Sequence, residues 1–230
     1  ADVARHWAAI LPQLAALQVA LANDAAHLLA LGVPDRRPAA LPGLYAALLD
    51  DADHWPLDHP DGLTAADLPP LRALTPRLSS LCEELESLGP DPTHVHDDLH
   101  DGHDIQAPGP AGPRYRFFDY GDACLGHPFF QLIAPQRFYA RRYDDLALDD
   151  ATVDALYDRY MAGWGAVTPG RRRALRLALA VGPVLRALTW HTALGPHYPD
   201  LPAPLLAYYA RGVGYWLTEF ARRAAEVGRG

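Results

Sequence analysis

A proline- and glycine-rich turn between two polar motifs constrains the fold of this chain more than any other feature. Residues 107–113 read APGPAGP, in which five of seven residues are proline or glycine. This density excludes a helix and favours a tight turn. The flanking residues 105–106 and 115–118 favour extended structure, so the sequence predicts a short β-hairpin. Such a hairpin would bring the polar residues before and after it into one cleft.

The polar motifs on either side of the turn carry the candidate chemistry. HDDLHDGH occupies residues 96–103, and the aromatic run before Asp119 is closed by Gly121. In order and spacing they match the kinase patterns H-R-D-L-x-x-x-N and D-F-G. In kinases the first Asp meets the attacking hydroxyl, and the second holds the magnesium ion on the nucleotide phosphates.

HDDLHDGH followed by FFDYGDACLGHPFFQL resembles the aminoglycoside phosphotransferase and choline kinase-like superfamily, whose signature is close to HGDLHxGN and then a D-W/Y-G-D-A block. The resemblance is strong over roughly 40 residues. It implies the mainly α-helical C-terminal lobe of a protein-kinase-like fold. Asp98 would be the catalytic base, and His96 would pack beneath the loop and fix it. Asp119 and His103 would lie at the metal ion and nucleotide.

The chain departs from the family pattern at three positions. Asp97 stands where the family has Gly, at a place that needs backbone freedom. Gln131 stands where an Asp is common, a change that we interpret as structural. His103 replaces the metal-binding Asn, although Mg²⁺ prefers oxygen ligands and imidazole suits transition metals. The alternative function is therefore a catalytically impaired pseudo-kinase or a small-molecule binding module.

The same loop also resembles a metallohydrolase motif. His94, His96, Asp98, His100 and His103 are similar to the H-x-H-x-D-H pattern of metallo-β-lactamases. The register is wrong, because His100 comes one residue late. Adventitious binding of Zn²⁺ or Ni²⁺ stays open as an alternative.

The chain lacks the sequence features of a nucleotide-clamping lobe. All basic residues are Arg, whereas kinases of this fold hold the phosphates with a Lys. The glycines before His94 are too scattered to form a phosphate loop. We therefore expect residues 1–230 to form a single lobe, with the catalytic loop and hairpin at 91–123 and the N-terminal nucleotide-binding lobe absent from this chain. The full protein would use Mg²⁺ and ATP or GTP. By itself, the chain should show no appreciable kinase activity.

The composition restricts the classes of partner that the chain is expected to bind. The formal charge of −8 disfavours nucleic acid as a partner and tolerates a cationic small substrate. The expected partners are a nucleotide and a small molecule with an acceptor hydroxyl. Two cysteines indicate a cytoplasmic setting, and no apolar run of about 18 residues suggests a membrane span. The Asp- and His-rich residues 50–61 could line an acceptor site, although a solvated loop is favoured.

Apolar periodicity predicts helices over most of the remaining chain. They are expected at about 1–31, 41–49, 64–88, 127–143, from Asp149 or Asp150, from Thr168, and at 203–227. Thr64 should open its helix with a capping box, and Pro135 should kink its helix. Aromatic residues of the late helices could form a box for a quaternary ammonium group, although core packing is favoured. They are Trp164, Trp190, Tyr198, Tyr208, Tyr209, Tyr215 and Trp216.

Overall fold

A computed structural model describes residues 2–100, 102–110, 112–141 and 148–227. These residues are mainly α-helical, as predicted. The nine described α-helices are α1 (Asp2–Leu21), α2 (Ala25–Ala30), α3 (Leu41–Asp50), α4 (Leu68–Arg72), α5 (Thr75–Leu88), α6 (Ile133–Arg141), α7 (Asp150–Ala162), α8 (Pro169–Leu194) and α9 (Ala203–Glu226).

The five described strands are short. They are β1 (Asp35–Arg36), β2 (Thr93–Val95), β3 (Asp104–Ala107), β4 (Arg114–Phe117) and β5 (Cys124–Gly126). One sheet has the order β1-β5-β2, with β2 and β5 antiparallel. The other is the predicted hairpin, in which Asp104 is opposite Phe117 and Ala107 is opposite Arg114. The hairpin prediction is confirmed.

The chain divides into two compact units. Unit 1 contains Ala1–Asp35 and Leu88–Ala174, and unit 2 contains Arg36–Ser87 and Leu175–Gly230. Unit 1 holds both polar motifs, the strands β2 and β5, and the hairpin of β3 and β4. The predicted absence of a separate nucleotide-binding lobe stays a prediction.

The core of unit 1 is built on α1 and α7, which pack together. Trp7, Ile10, Leu11 and Leu14 follow the spacing of one helix face and are all buried. Gly163 permits the close approach, because a Cβ there would lie 2.5 Å from the Cβ of Ala15. This packing fixes α1 beneath the motif-bearing loop.

The core of unit 2 is built on α3, α8 and α9. Tyr45 and Phe220 meet edge to face at 5.4 Å, and the Tyr45 hydroxyl donates to Leu71 O at 2.8 Å. By length and composition, Pro169–His197 is the one described segment that could cross a membrane. Of its most apolar window, 67% is buried inside the structure, as in a core helix.

Helix boundaries follow the sequence signals with two corrections. The helix predicted over 1–31 is interrupted by a 3-10 turn at Ala22–Asp24, and it stops before Gly32, which has φ of +88°. The helix predicted from 127 begins as a 3-10 helix at Pro128–Leu132, and α6 follows it from Ile133. Pro135 lies in the first turn of α6, and the kink expected there stays a prediction. The predicted end of this helix at Tyr143 lies outside the described residues.

The predicted caps are observed. Thr64 and Asp67 form a capping box, and Asp149 Oδ1 accepts the N–H of Thr152 at 2.7 Å. Thr168 Oγ1 accepts the N–H of Arg171 at 3.1 Å. These contacts satisfy amide groups that a helix start leaves without a backbone partner.

Candidate active site

The strand that leads into the catalytic-loop motif is anchored by Gln18 of α1. Gln18 is fully buried, and its Nε2 donates to His94 O at 2.8 Å. Its own carbonyl accepts the Thr93 hydroxyl at 2.7 Å. The Tyr160 hydroxyl of α7 bonds to Gln18 Oε1 and to Pro128 O. The core of unit 1 thus fixes the position at which the loop begins.

His96 ties the loop to the segment before Asp119. Its side chain is fully buried, and Nε2 donates to Phe118 O at 2.7 Å. Its backbone N–H donates to Gln131 Oε1 at 2.8 Å. Burial lowers the pKa of His96, so the ring is neutral with its proton on Nε2. His96 therefore joins the loop to the residue before Asp119, and Gln131 holds the loop backbone at His96.

Two acidic residues at the turns of the site have left-handed backbones. Asp97 has φ of +62°, at the position where the resemblance places glycine, and Asp119 has φ of +64°. Asp and Asn are among the non-glycine residues that tolerate this region. The Asp at position 97 therefore keeps a conformation for which glycine is the usual choice.

His103 lies between the two candidate acids. Its Nδ1 is 2.8 Å from Asp98 O and its Nε2 is 3.2 Å from Asp119 Oδ2. Because a carbonyl only accepts, Nδ1 carries a proton and Nε2 faces the carboxylate. The backbone N–H of Phe118 also donates to His103 O at 3.2 Å. The hairpin thus brings the loop and the end of β4 together at His103.

A further histidine lies against His103. The ring centroids of His100 and His103 are 3.6 Å apart with the rings tilted by 38°, and Gly102 N–H donates to His100 Nδ1 at 2.9 Å. One ligand atom from each of Asp98, His100 and His103 lies within 4.8 Å of the others. Burial, followed by the nearby His103, lowers the pKa of His100.

Only part of this donor set suits Mg²⁺. Mg²⁺ is usually held by one or two carboxylates together with substrate phosphates. Asp119 fits, since its side chain is 60% exposed. The imidazole of His103 does not suit Mg²⁺. The role of His103 as a ligand of the metal ion stays a prediction. Magnesium could therefore be held through Asp119, with phosphates and water completing its ligands.

The hairpin is attached to α1 by contacts that the sequence did not predict. His6 Nε2 lies 3.2 Å from Asp104 Oδ2, and burial raises the pKa of Asp104. Gln13 binds both sides of the β4 start, donating to Pro113 O at 2.9 Å and accepting from Tyr115 N at 3.1 Å. These partners are about a hundred residues away along the chain, and no local pattern marks them.

Most of the residues that could line an acceptor site belong to unit 2. Asp51 of the acidic loop contacts His54 and His191 within unit 2. Tyr209 and Trp216 are buried in the unit 2 core, as the favoured interpretation expected. Trp190 and Tyr208 form a tilted pair with ring centroids 4.5 Å apart, and Tyr208 is exposed. Trp164 belongs to unit 1 and the other six aromatic residues belong to unit 2, so a box for a quaternary ammonium group stays a prediction.

Comparisons with known proteins support the fold. No family model and no curated protein sequence matches the chain. Among solved structures, the chain is similar to an ethanolamine kinase of Plasmodium vivax, with a TM-score of 0.52 and 14% identity. The match covers 85% of this chain and 52% of the kinase, so the chain spans about half the length of that protein. The chain is a mainly α-helical lobe with a small β element, in a kinase-like fold.

Proposed function

We propose that this chain is the catalytic lobe of a phosphotransferase that moves the γ-phosphoryl group of ATP or GTP to a hydroxyl of a small molecule. The observation that carries the proposal is the position of His103, whose two nitrogens contact the backbone of Asp98 and the carboxylate of Asp119. This contact supports the proposal, because phosphoryl transfer needs an acid at the acceptor hydroxyl close to an acid at the metal ion.

Asp98 would act on the acceptor. A carboxylate at this position can accept a hydrogen bond from the attacking hydroxyl and take its proton as transfer proceeds. The loop that carries Asp98 is held on both sides, by Gln131 at His96 N and by His103 at Asp98 O. Rigid positioning of this kind supplies much of the catalysis in phosphoryl transfer.

Asp119 would hold the metal ion. Bound Mg²⁺ would neutralise charge on the phosphates of the nucleotide. His96 orients this acid indirectly, since it bonds to the carbonyl of the preceding residue. Ile105 and Phe118 are 57% and 41% exposed near the same end of the hairpin. These apolar side chains could pack against a purine ring or against the nucleotide-binding lobe that we infer for the full protein.

The acceptor and the cellular setting belong to the same proposal. The net charge of −8 favours a neutral or cationic acceptor over an acidic one. A cytoplasmic location, without nucleic acid or membrane as partner, is consistent with a soluble nucleotide and a small-molecule substrate. The impaired pseudo-kinase remains the second candidate, because His103 occupies the place of the metal-binding Asn.

The test uses the chain joined to its nucleotide-binding lobe, with ATP or GTP, Mg²⁺ and a panel of small amino alcohols, sugars and aminoglycosides. We expect acceptor-dependent release of nucleoside diphosphate. Asp98→Asn should lower the rate by about 10³-fold, because it removes the base and keeps the shape. Asp24→Asn, at an exposed carboxylate in the turn before α2, is the matched control and should leave the rate unchanged.

Two results would separate the candidates. If the parent protein transfers no phosphoryl group but His103→Asn gains Mg²⁺-dependent nucleotide binding, the pseudo-kinase is correct. Equal rates for the parent protein and Asp98→Asn would contradict the catalytic assignment.

A further inference from the structure

The loop contains a group of ligand atoms that suits a softer ion than Mg²⁺. We call Asp98, His100 and His103 the loop cluster. Their ligand atoms lie within 4.8 Å of one another, and all three side chains are partly accessible. Two imidazoles and a carboxylate are the usual ligands of Zn²⁺ and related transition metals.

The hydrogen bonds of His103 prepare one of these ligands. A metal-binding histidine usually donates its other ring N–H to a carbonyl or carboxylate, which fixes the tautomer. His103 Nδ1 has this arrangement, 2.8 Å from Asp98 O. A metal ion would therefore bind His103 through Nε2, the ring nitrogen that does not face a backbone carbonyl. This nitrogen lies 3.2 Å from Asp119 Oδ2, so a second carboxylate oxygen is close to the same position.

The geometry needs only a small adjustment. Ligand bonds of 2.0 to 2.2 Å in a tetrahedral zinc site place ligand atoms about 3.4 Å apart. The separations of up to 4.8 Å in the loop cluster must therefore shorten by at most about 1.4 Å, a distance that side-chain rotation covers. The contact between His103 Nε2 and Asp119 Oδ2 is already 3.2 Å.

We propose that the loop cluster is a binding site for one transition-metal ion of the Zn²⁺ class. Where the proposed phosphotransferase function holds, this ion is also an inhibitor. It would occupy the carboxylate of Asp98, which the acceptor hydroxyl needs. The substitution of His for the family's Asn at position 103 would then make the site responsive to transition metals instead of merely weakening Mg²⁺ binding.

Direct binding to the chain described here tests the site without any need for catalysis. Apo protein is titrated with Zn²⁺ against a chromophoric chelator, and Co²⁺ is added separately so that its visible absorption reports the ligand geometry. We expect one ion per chain. His103→Asn and His100→Asn should each weaken binding at least 10-fold, and the double variant should abolish it. His27→Asn, at an exposed histidine of α2, is the matched control and should bind like the parent.

Circular dichroism and thermal unfolding of each variant exclude misfolding as the cause of lost binding. A second measurement needs no variant, because saturating Zn²⁺ must raise the melting temperature of the parent if the ion binds the folded state. Substoichiometric binding by the parent, or equally tight binding by the double variant, would overturn the metal site.

Inhibition is measured in the full protein, in which Zn²⁺ should suppress transfer at the concentration that fills the site. Zinc binding without any transfer activity would leave the metal site intact and refute the proposed function. Transfer that continues with the site filled would refute inhibition alone.

Discussion

Each unit contains a cluster of histidine and aspartate side chains, and the two clusters differ in which parts of the chain their contacts join and in how exposed the carboxylates are. In unit 2, which contains what we call the Asp51 network, His191 Nε2 lies 2.9 Å from Asp51 Oδ2 and His191 Nδ1 lies 2.8 Å from the Tyr209 hydroxyl. That hydroxyl donates to His54 O at 2.8 Å. In unit 1, the loop cluster leaves His103 Nε2 facing the half-exposed Asp119 carboxylate.

Composition does not distinguish a ligand site from a structural network, whereas the span of the contacts along the chain and the convergence of ligand atoms do. Both ring nitrogens of His191 contact protein groups that join α8, α9 and the turn after α3. Such a network joins segments 140 residues apart and stabilises the fold. In the loop cluster, one ligand atom from each residue lies within 4.8 Å of the others, and the neighbouring Asp119 carboxylate is 60% exposed.

The largest stability effect should come from acid, through buried histidines of unit 1 that belong to neither cluster. Burial lowers the pKa of His127 to about 3 and that of His94 to about 4. An unfolded chain binds their protons near pH 6.5. The two neutral rings therefore contribute fully to the free energy of unfolding above about pH 6.5. This contribution is lost as the pH falls toward 4, and the loss is on the order of 3 kcal/mol for each ring.

The variant His127→Asn isolates this effect. Asn can still accept the N–H of Phe129, which His127 Nδ1 accepts at 3.2 Å. Urea unfolding between pH 7.5 and pH 4 should show a shallower loss of stability in this variant than in the parent. His27→Asn should keep the parental pH dependence. A parental slope in His127→Asn would mean that the ring is already charged or solvated in the folded protein.

The Asp51 network should lose stability when its central hydroxyl is removed. Tyr209→Phe leaves His191 Nδ1 and His54 O without this partner in a buried setting, at a cost of roughly 1 to 3 kcal/mol. Tyr208→Phe, next in the chain and 57% exposed, is the matched control and should change stability by less than about 0.5 kcal/mol. Thermal and urea unfolding measure both. Equal stability for the two variants would make the network a peripheral feature.

The sequence predicted those parts of the structure that depend on local patterns. The hairpin at 104–117, the capping box at Thr64 and the start of α7 after Asp149 follow from turn chemistry and capping within a few residues. The helix predicted from 127 shows the limit of this approach, since Pro128–Leu132 form a 3-10 helix and α6 begins only at Ile133. Local pattern alone does not fix where the α-helix begins.

The sequence did not predict the contacts that complete the site. Gln131 meets His96 across 35 residues, Gln18 meets His94 O across 76, and His6 meets Asp104 across 98. Glutamine is common in helices for many reasons, so its presence in the sequence did not indicate these contacts. The Asp51 network was missed in the same way, because Asp51 looked like part of a solvated loop while its partner His191 is 140 residues away.

The smallest stability effect should occur at Asp119, and it offers the sharpest contrast with Tyr209. Asp119→Asn removes a charge from a side chain that is 60% exposed, and Asn tolerates the φ of +64° as well as Asp does. Stability should therefore change by less than about 0.5 kcal/mol, because an exposed ion pair contributes little. Asp119→Ala should cost about 1 kcal/mol more, since alanine is strained in the left-handed region. Unfolding experiments on the two variants separate the charge from the backbone. A loss of 2 kcal/mol or more in Asp119→Asn would show that the contact with His103 is part of the folded framework, and the loop cluster would then belong with the Asp51 network as a structural feature.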